Sequence, residues 1–303
     1  MKYVITGATS FIGIELTNYL IGQGYEVYAV CRKSSAHAKT IPNKAKIVHS
    51  EMAEYGTLYD KIEAADVFVN FAWEGTGHSG RNVIDIQKEN IQNTIGAIQS
   101  AHQMGCKLFV EAGSQAEYGT VTNEITEETP CNPFSEYGKA KLEVKKKAFV
   151  LCKQLGMKYI HLRIFSVYGE NDHPWTLVMS CINKMLHNED VDLSSCRQYW
   201  NFIYVKDAAK QIAALCKYAI NLPDFQHEVY NIASDDTRVL KEFVEEIKSQ
   251  IHTSSHLNYG VITPTNVVNL QPNVTKLLQA THLTTFTPFE KVIPLIIDKL
   301  HKN

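Results

Sequence analysis

Two hydrophobic periods take turns along this chain. Tyr3-Val4-Ile5 is a short β-branched run, and after a glycine-bearing turn Ile12, Leu16 and Leu20 recur at helical spacing until Gly24 closes the segment. Further apolar runs predict strands over 26–30, 46–48, 67–71, 108–112 and 159–164, with helices over 56–63, 83–104 and 136–155 between them. Strand alternating with helix predicts an α/β fold, a doubly wound parallel sheet covered on both faces.

After Gly169 the alternation loosens. Helices are predicted over 175–187, 207–219 and 239–251, interleaved with strands over 201–205 and 228–232 and an Asn-, Thr- and Pro-rich stretch over 263–273. No repeat, low-complexity tract or linker separates two independent units. The expected organisation is a dinucleotide-binding Rossmann domain over 1–169, with segments such as 199–233 returning to it. A smaller C-terminal substrate-binding lobe is expected mainly over 170–303, with the crevice between them holding a substrate.

Composition changes this picture little. A chain of 303 residues buries a full core without disulfides or metals, and none is expected. The net charge of −2 gives no electrostatic footprint for nucleic acid or an anionic membrane, and Lys145-Lys146-Lys147 reads as the solvated face of a helix. Seven scattered cysteines without metal spacing read as reduced thiols. The sequence enters a strand without a charged leader, and no run has the apolar length of a membrane span, so the cytoplasm is the expected location.

The turn Gly7-Ala8-Thr9-Ser10-Phe11-Ile12-Gly13 lies between the first strand and the first helix. A pyrophosphate needs free backbone N–H groups and no side chains in the way, which a helix N-terminus and glycines supply. Ser10 stands where such loops usually carry a glycine, and it is small enough to donate to a phosphate itself. The second strand ends in Cys31-Arg32-Lys33-Ser34, with no acidic residue to bind ribose hydroxyls. Arg32, supported by Lys33, suits a 2′-phosphate, so NADP (as NADPH) is the expected cofactor, with NAD possible. The competing reading of Arg32 is an exposed loop arginine. Glu51 is placed at the adenine edge, against a solvated glutamate, and Phe71 and Ala72 after the fourth strand complete this part of the expected cofactor site.

Tyr137 and Lys141 lie four residues apart, hence on one helix face, where the ammonium is expected to lower the phenol's pKa and reach a cofactor ribose. Ser114, after the fifth strand, can hydrogen-bond the same substrate oxygen as the tyrosine. Together with the first turn, these residues make an ordered constellation.

Three stretches, Thr6–Gly13, Ser114–Gly119 and Tyr137-Gly138-Lys139-Ala140-Lys141, resemble the extended short-chain dehydrogenase/reductases, the nucleotide-sugar epimerase/dehydratase family. The likeness extends to Asn90, to Arg163–Gly169, and to Gln198–Asp207 followed by Asn231-Ile232-Ala233. It implies that Tyr137 is the general acid/base, Lys141 its modulator and ribose anchor, and Ser114 the third member of a triad. It also implies that Asn90, Phe165 and Val167 serve the cofactor, with Ser166 beside the nicotinamide and the substrate. In many relatives the helices matching 83–104 and 136–155 form a dimer bundle, so a homodimer is expected.

Departures narrow the chemistry. Family dehydratases carry acids at the two positions after the triad Ser/Thr, and GDP-fucose synthase carries a cysteine at the second. Here they are Gln115 and Ala116, which leaves hydride transfer at carbon 4. The expected function is NADPH-dependent reduction of a nucleotide-activated 4-keto-6-deoxy sugar. A nucleotide-sugar 4-epimerase is the alternative, followed by a non-sugar ketone reductase or a non-catalytic dinucleotide sensor. Trp73, His78, Gln115, Ser166, Trp175 and Trp200 are assigned to the substrate. Trp200 replaces an arginine common among relatives, and core packing is its competing reading. For His78, Arg81, His173 and Trp175 the competing reading is a surface or packing role.

Overall fold

The computed structural model describes residues 1–77, 79–264 and 267–302. The first half contains β1 (Lys2–Thr6), α1 (Phe11–Gly22), β2 (Glu26–Cys31), β3 (Lys46–His49), β4 (Val67–Asn70), α2 (Ile84–Gln103), β5 (Leu108–Ser114), α3 (Glu136–Gln154) and β6 (Lys158–Ile164). There follow β7 (Ser166–Tyr168), α4 (Leu177–Leu186), β8 (Val191–Asp192), β9 (Tyr199–Tyr204), α5 (Val205–Asn221) and β10 (His227–Ile232). The chain ends with β11 (Thr237–Val239), α6 (Leu240–Ser249), β12 (Leu257–Asn258), α7 (Thr275–Thr281) and α8 (Phe289–His301).

Seven strands form one parallel sheet in the order β10-β6-β5-β4-β1-β2-β3. Because side chains alternate across each strand, every central strand feeds both layers. Tyr3, Ile5, Val67, Val69, Leu108 and Val110 face α1 and α5, where Leu16, Leu20 and Ile212 pack on them. Val4, Phe68 and Phe109 face the opposite way, against Ala97, Ile98 and Ala101 of α2 and Ala148 and Cys152 of α3. Fully burying Leu16 or Leu20 stabilises the fold by about 1.5–3 kcal/mol each.

The chain passes from β1 outward to β3 and then returns to β4 on the other side of β1. This reversal opens a crevice at the carboxyl ends of β1 and β4, where doubly wound sheets bind ligands. Two predicted elements differ from the expectation. The helix predicted over 56–63 is a 3₁₀ segment, Met52–Asp60, broken by non-helical geometry at Thr57. It starts earlier because the Glu51 and Glu54 side chains cap it reciprocally, and Gly56 lies directly against Gly96 of α2.

β9 does not return to the large sheet. It pairs with β7 (parallel) and β11 (antiparallel), because Phe202 and Tyr204 belong to the core of the second lobe with Tyr168, Phe243 and Phe289. α5 and β10 do return: α5 covers α1, and β10 pairs with β6 from His227↔Tyr159 to Ile232↔Ile164. Asn231 at the end of β10 accepts the Tyr118 hydroxyl (2.7 Å) and donates to the Ile125 and Asn273 carbonyls, drawing three loops together. No helix is long and apolar enough to cross a membrane among the described residues.

Candidate active site

At the carboxyl end of β1, Gly7 adopts a left-handed conformation (φ 63°), and a β carbon there would run into the backbone of Phe71 and Ala72. Ser10 caps α1 by accepting the Gly13 N–H (3.1 Å), and its own N–H goes to the Gly7 carbonyl (2.9 Å). Among the described residues no group accepts the Phe11 or Ile12 N–H, so the helix presents free donors to the crevice. Thr9 accepts the Ser35 hydroxyl, while Ile12 and Val167 each touch both large cores. Phe71 is partly buried against the sheet.

Past β2 the Arg32 guanidinium lies 3.7 Å from the Glu74 carboxylate, so the side chain expected to meet a 2′-phosphate has an acidic neighbour, while Lys33 is exposed. Asn90 is buried and holds the Glu74 backbone by both its N–H and its carbonyl (2.9 Å each). Glu51 stays exposed, occupied with its cap.

The three triad candidates converge on the end of β5. Ser135 caps α3, and Gly138 in the first turn lets the helix seat against Ala116 in the turn after Ser114. Ser114 Oγ accepts the Ala116 N–H (3.1 Å), which leaves its own proton free to donate. Tyr137 is buried, and its N–H is bonded to the Arg81 carbonyl (2.9 Å). Burial pushes the phenol's pKa up, against the opposing influence of the Ser114 hydroxyl and the Arg81 guanidinium.

Lys141 is not the cation nearest that ring. Its ammonium lies 5.9 Å from the ring centroid, while the Arg81 guanidinium stacks at 4.4 Å. Lys141 Nζ instead donates to the Ala112 carbonyl (2.6 Å), lies 3.4 Å from Glu111 and faces the Trp73 indole at 3.4 Å. Burial brings its pKa down to about 8. The sequence reading passed over Glu111, although a glutamate inside Leu-Phe-Val-Glu-Ala-Gly is a conspicuous charge in an apolar strand.

The substrate assignments separate. Gln115 begins the turn after Ser114 and is half-buried, and Ser166 begins β7. Trp73 packs on Ile91, Ala140 and Val144, with its ring edge-on to Tyr137 (centroids 6.2 Å apart) and its Nε1 donating to Gln87 (2.9 Å). It shields Lys141 because the α2–α3 interface there is apolar. Trp200 packs between the second lobe's core and the Phe165–Tyr118 cluster, and its Nε1 is enclosed without a partner. Trp175 is 74% exposed and stacks on His173 (4.4 Å), a surface placement. His78 lies outside the described residues.

A second polar network supports the Ser114 turn from behind. Glu117 accepts the Ser114 N–H (2.9 Å), lies 2.8 Å from His161 Nε2 and accepts Arg163 Nε (3.0 Å), with all three side chains buried. Burial raises the Glu117 pKa, but His161 and Arg163 overcome it and hold the carboxylate at about 2. Burial also lowers the His161 pKa. The imidazole lies between the Tyr159 hydroxyl, 2.9 Å from Nδ1, and the Glu117 carboxylate, 2.8 Å from Nε2.

A sequence model described as the NAD dependent epimerase/dehydratase family matches residues 3–233. CDP-abequose synthase of Salmonella muenchen is 27% identical over 271 residues, covering 86% of this chain and 84% of that protein. The dTDP-6-deoxy-L-talose 4-dehydrogenase (NAD(+)) of Aggregatibacter actinomycetemcomitans is 22% identical and covers 86% and 94%. A crystal structure of UDP-galactose 4-epimerase superposes with a TM-score of 0.83 at 22% identity, over 100% of this chain and 99% of that one. Together with the sheet reversal, the open helix N-terminus and the grouping of Ser114, Tyr137 and Lys141, the match across most of the sequence places this chain in the NAD dependent epimerase/dehydratase family of nucleotide-sugar enzymes.

Proposed function

We propose that this enzyme reduces a nucleotide-activated 4-keto-6-deoxyhexose at carbon 4. The observation that carries the reading is the pair after Ser114: Gln115 is an amide and Ala116 a buried methyl, so neither can move a proton on a carbon beside the ketone. Dehydration and epimerisation at such carbons lose their acid or thiol, and carbonyl reduction needs neither. The names of the two relatives from Salmonella and Aggregatibacter, both handling nucleotide-linked sugars, support this direction.

The free N–H groups of Phe11 and Ile12 suit a pyrophosphate, and NADPH is the proposed cofactor, with Arg32 meeting its 2′-phosphate in place of the Glu74 carboxylate. When bound, the nicotinamide supplies the hydride. Tyr137 gives its proton to the carbon-4 oxygen while the Ser114 hydroxyl donates to the same oxygen, so the carbonyl becomes a hydroxyl. Lys141 holds the proton-transfer geometry beneath Tyr137.

A 4-epimerase is the second reading, favoured by the Glu74 carboxylate beside Arg32, which disfavours a 2′-phosphate, and by a UDP-glucose 4-epimerase of Lactobacillus helveticus that is 29% identical over 174 residues. Purified protein given NADPH or NADH and a panel of nucleotide-activated 4-keto-6-deoxy sugars decides between them. Stoichiometric cofactor loss, faster with NADPH, supports the reductase. No loss, together with interconversion of ordinary nucleotide hexoses, supports the epimerase.

A further inference from the structure

Glu111 stands inside β5, a strand buried at each of its seven positions, and is itself fully enclosed. A carboxylate in such a place is costly unless partnered on each oxygen. One oxygen accepts Asn70 Nδ2 at 2.7 Å, and the other faces Lys141 Nζ at 3.4 Å. Asn70 also accepts the Thr6 hydroxyl and contacts Thr94. A continuous polar chain thus runs from the last residue of β1, beside the Gly7 turn, to the lysine beneath Tyr137.

An ammonium carries three N–H bonds in a fixed tetrahedral array. The Ala112 carbonyl takes one of those on Lys141, and Glu111 attracts a second. Trp73 covers one flank of the lysine and excludes water from it.

We infer that Glu111 is a positioning residue for Lys141, occupying one N–H so that the remaining one is aimed toward Tyr137 and the cofactor. It touches neither substrate nor cofactor, and its role rests on the reading of Tyr137 and Lys141 as catalytic. The charged and titratable groups around the pair are Glu117 on the following turn, Tyr137 and Cys152 on α3, Tyr159 and His161 on β6, the latter opposite Glu111, and Arg163 beyond it. Glu111 and Glu117 both favour the protonated lysine against its burial. Removing the Glu111 charge therefore lowers the Lys141 pKa.

The test is a titration of the full chain saturated with NADP⁺, with lysines labelled at the ε carbon and followed by NMR; the Lys141 signal is identified by its loss in Lys141→Met. Glu111→Gln should lower the Lys141 pKa by about one unit, a tenfold shift. Glu111→Asp, which keeps the charge, should recover part of it. The alkaline limb of kcat should move down in pH by the same amount, with the KM for cofactor held. An unmoved Lys141 titration in Glu111→Gln overturns the inference. Burial pushes the Glu111 pKa up to about 7, with Lys141 and Asn70 opposing it; should Glu111→Gln not fold, Asn70→Ala removes a donor that favours the ionised carboxylate and must shift Lys141 in the same direction, and an unmoved signal there overturns it equally. If the signal moves while the wild-type protein turns over no nucleotide sugar, the positioning role stands and the proposed reaction falls.

Discussion

The carbonyl oxygen of Ala116 lies 2.5 Å from the point where a β carbon on Gly138 would stand. The first turn of α3 thereby rests on the turn after Ser114, and this contact fixes the distance between the serine and Tyr137. Alanine normally exceeds glycine in a helix by about 1 kcal/mol, but here the added methyl must push two backbones apart. Gly138→Ala is expected to lose about 1–3 kcal/mol of stability, read as a lower Tm, and to reduce kcat more than KM. An unchanged or raised Tm would show that the helix can shift freely.

Tyr137→Phe removes the only atom that the proposed reaction asks the ring to supply. Turnover is expected to fall about 10²–10⁴-fold, while binding of NADP⁺, measured by calorimetry, stays within a few-fold of wild type. Ser114→Ala should fall less steeply, because Tyr137 still supplies the proton. Full turnover in Tyr137→Phe would remove the phenol from the mechanism.

Cofactor choice should respond to Glu74 as well as to Arg32. Replacing Glu74 by Gln takes away the carboxylate 3.7 Å from the Arg32 guanidinium and frees it for a 2′-phosphate. The ratio of kcat/KM for NADPH over NADH is expected to rise several-fold in Glu74→Gln and to fall in Arg32→Gln. The pair is half-exposed and screened by salt, so the change should shrink as ionic strength rises. A ratio indifferent to both substitutions would show that adenosine discrimination lies elsewhere.

The buried carboxylate of Glu117 sets a pH dependence of stability. Its folded pKa of about 2 lies below the unfolded value of about 4.3, so its contribution is fully present above the unfolded value and is lost as pH falls toward 2. Urea midpoints should therefore decline between pH 5 and pH 3 more steeply in the wild type than in Glu117→Gln. At pH 7 the substitution is expected to cost about 3–5 kcal/mol, because Arg163 is left buried without its counter-charge. Parallel pH curves for the two proteins would contradict this assignment.

Much of the fold was legible because its strands and helices carry their own periodicities. Tyr3-Val4-Ile5 and the Ile12, Leu16, Leu20 spacing specify the first strand and helix before any tertiary contact forms. Tyr137 and Lys141 were legible from four-residue spacing, and Ser114 from its place after an apolar strand. The ion pair of Arg32 with Glu74 was not, since the two residues meet only when β2 and β4 flank β1. Lys141 was expected to act on the phenol, but its nearest partners, Glu111 and Ala112, come from a strand distant in sequence. The destination of β9 was equally hidden: Tyr199–Tyr204 reads as a strand, and only the aromatic packing of Phe202 with Phe243 and Phe289 decides which sheet receives it.

The place of β10 at the outer edge of β6 bears on how the protein is made. During synthesis, the first six strands of the large sheet emerge while the hydrogen-bonding edge of β6 is still bare and α1 lacks the cover of α5. The cofactor fold closes only when Ile232 has left the ribosome, and until then an apolar strand edge is open to other chains. A fragment cut at Gly169 keeps every residue of the glycine turn and of the triad, yet it is expected to aggregate rather than to bind a dinucleotide.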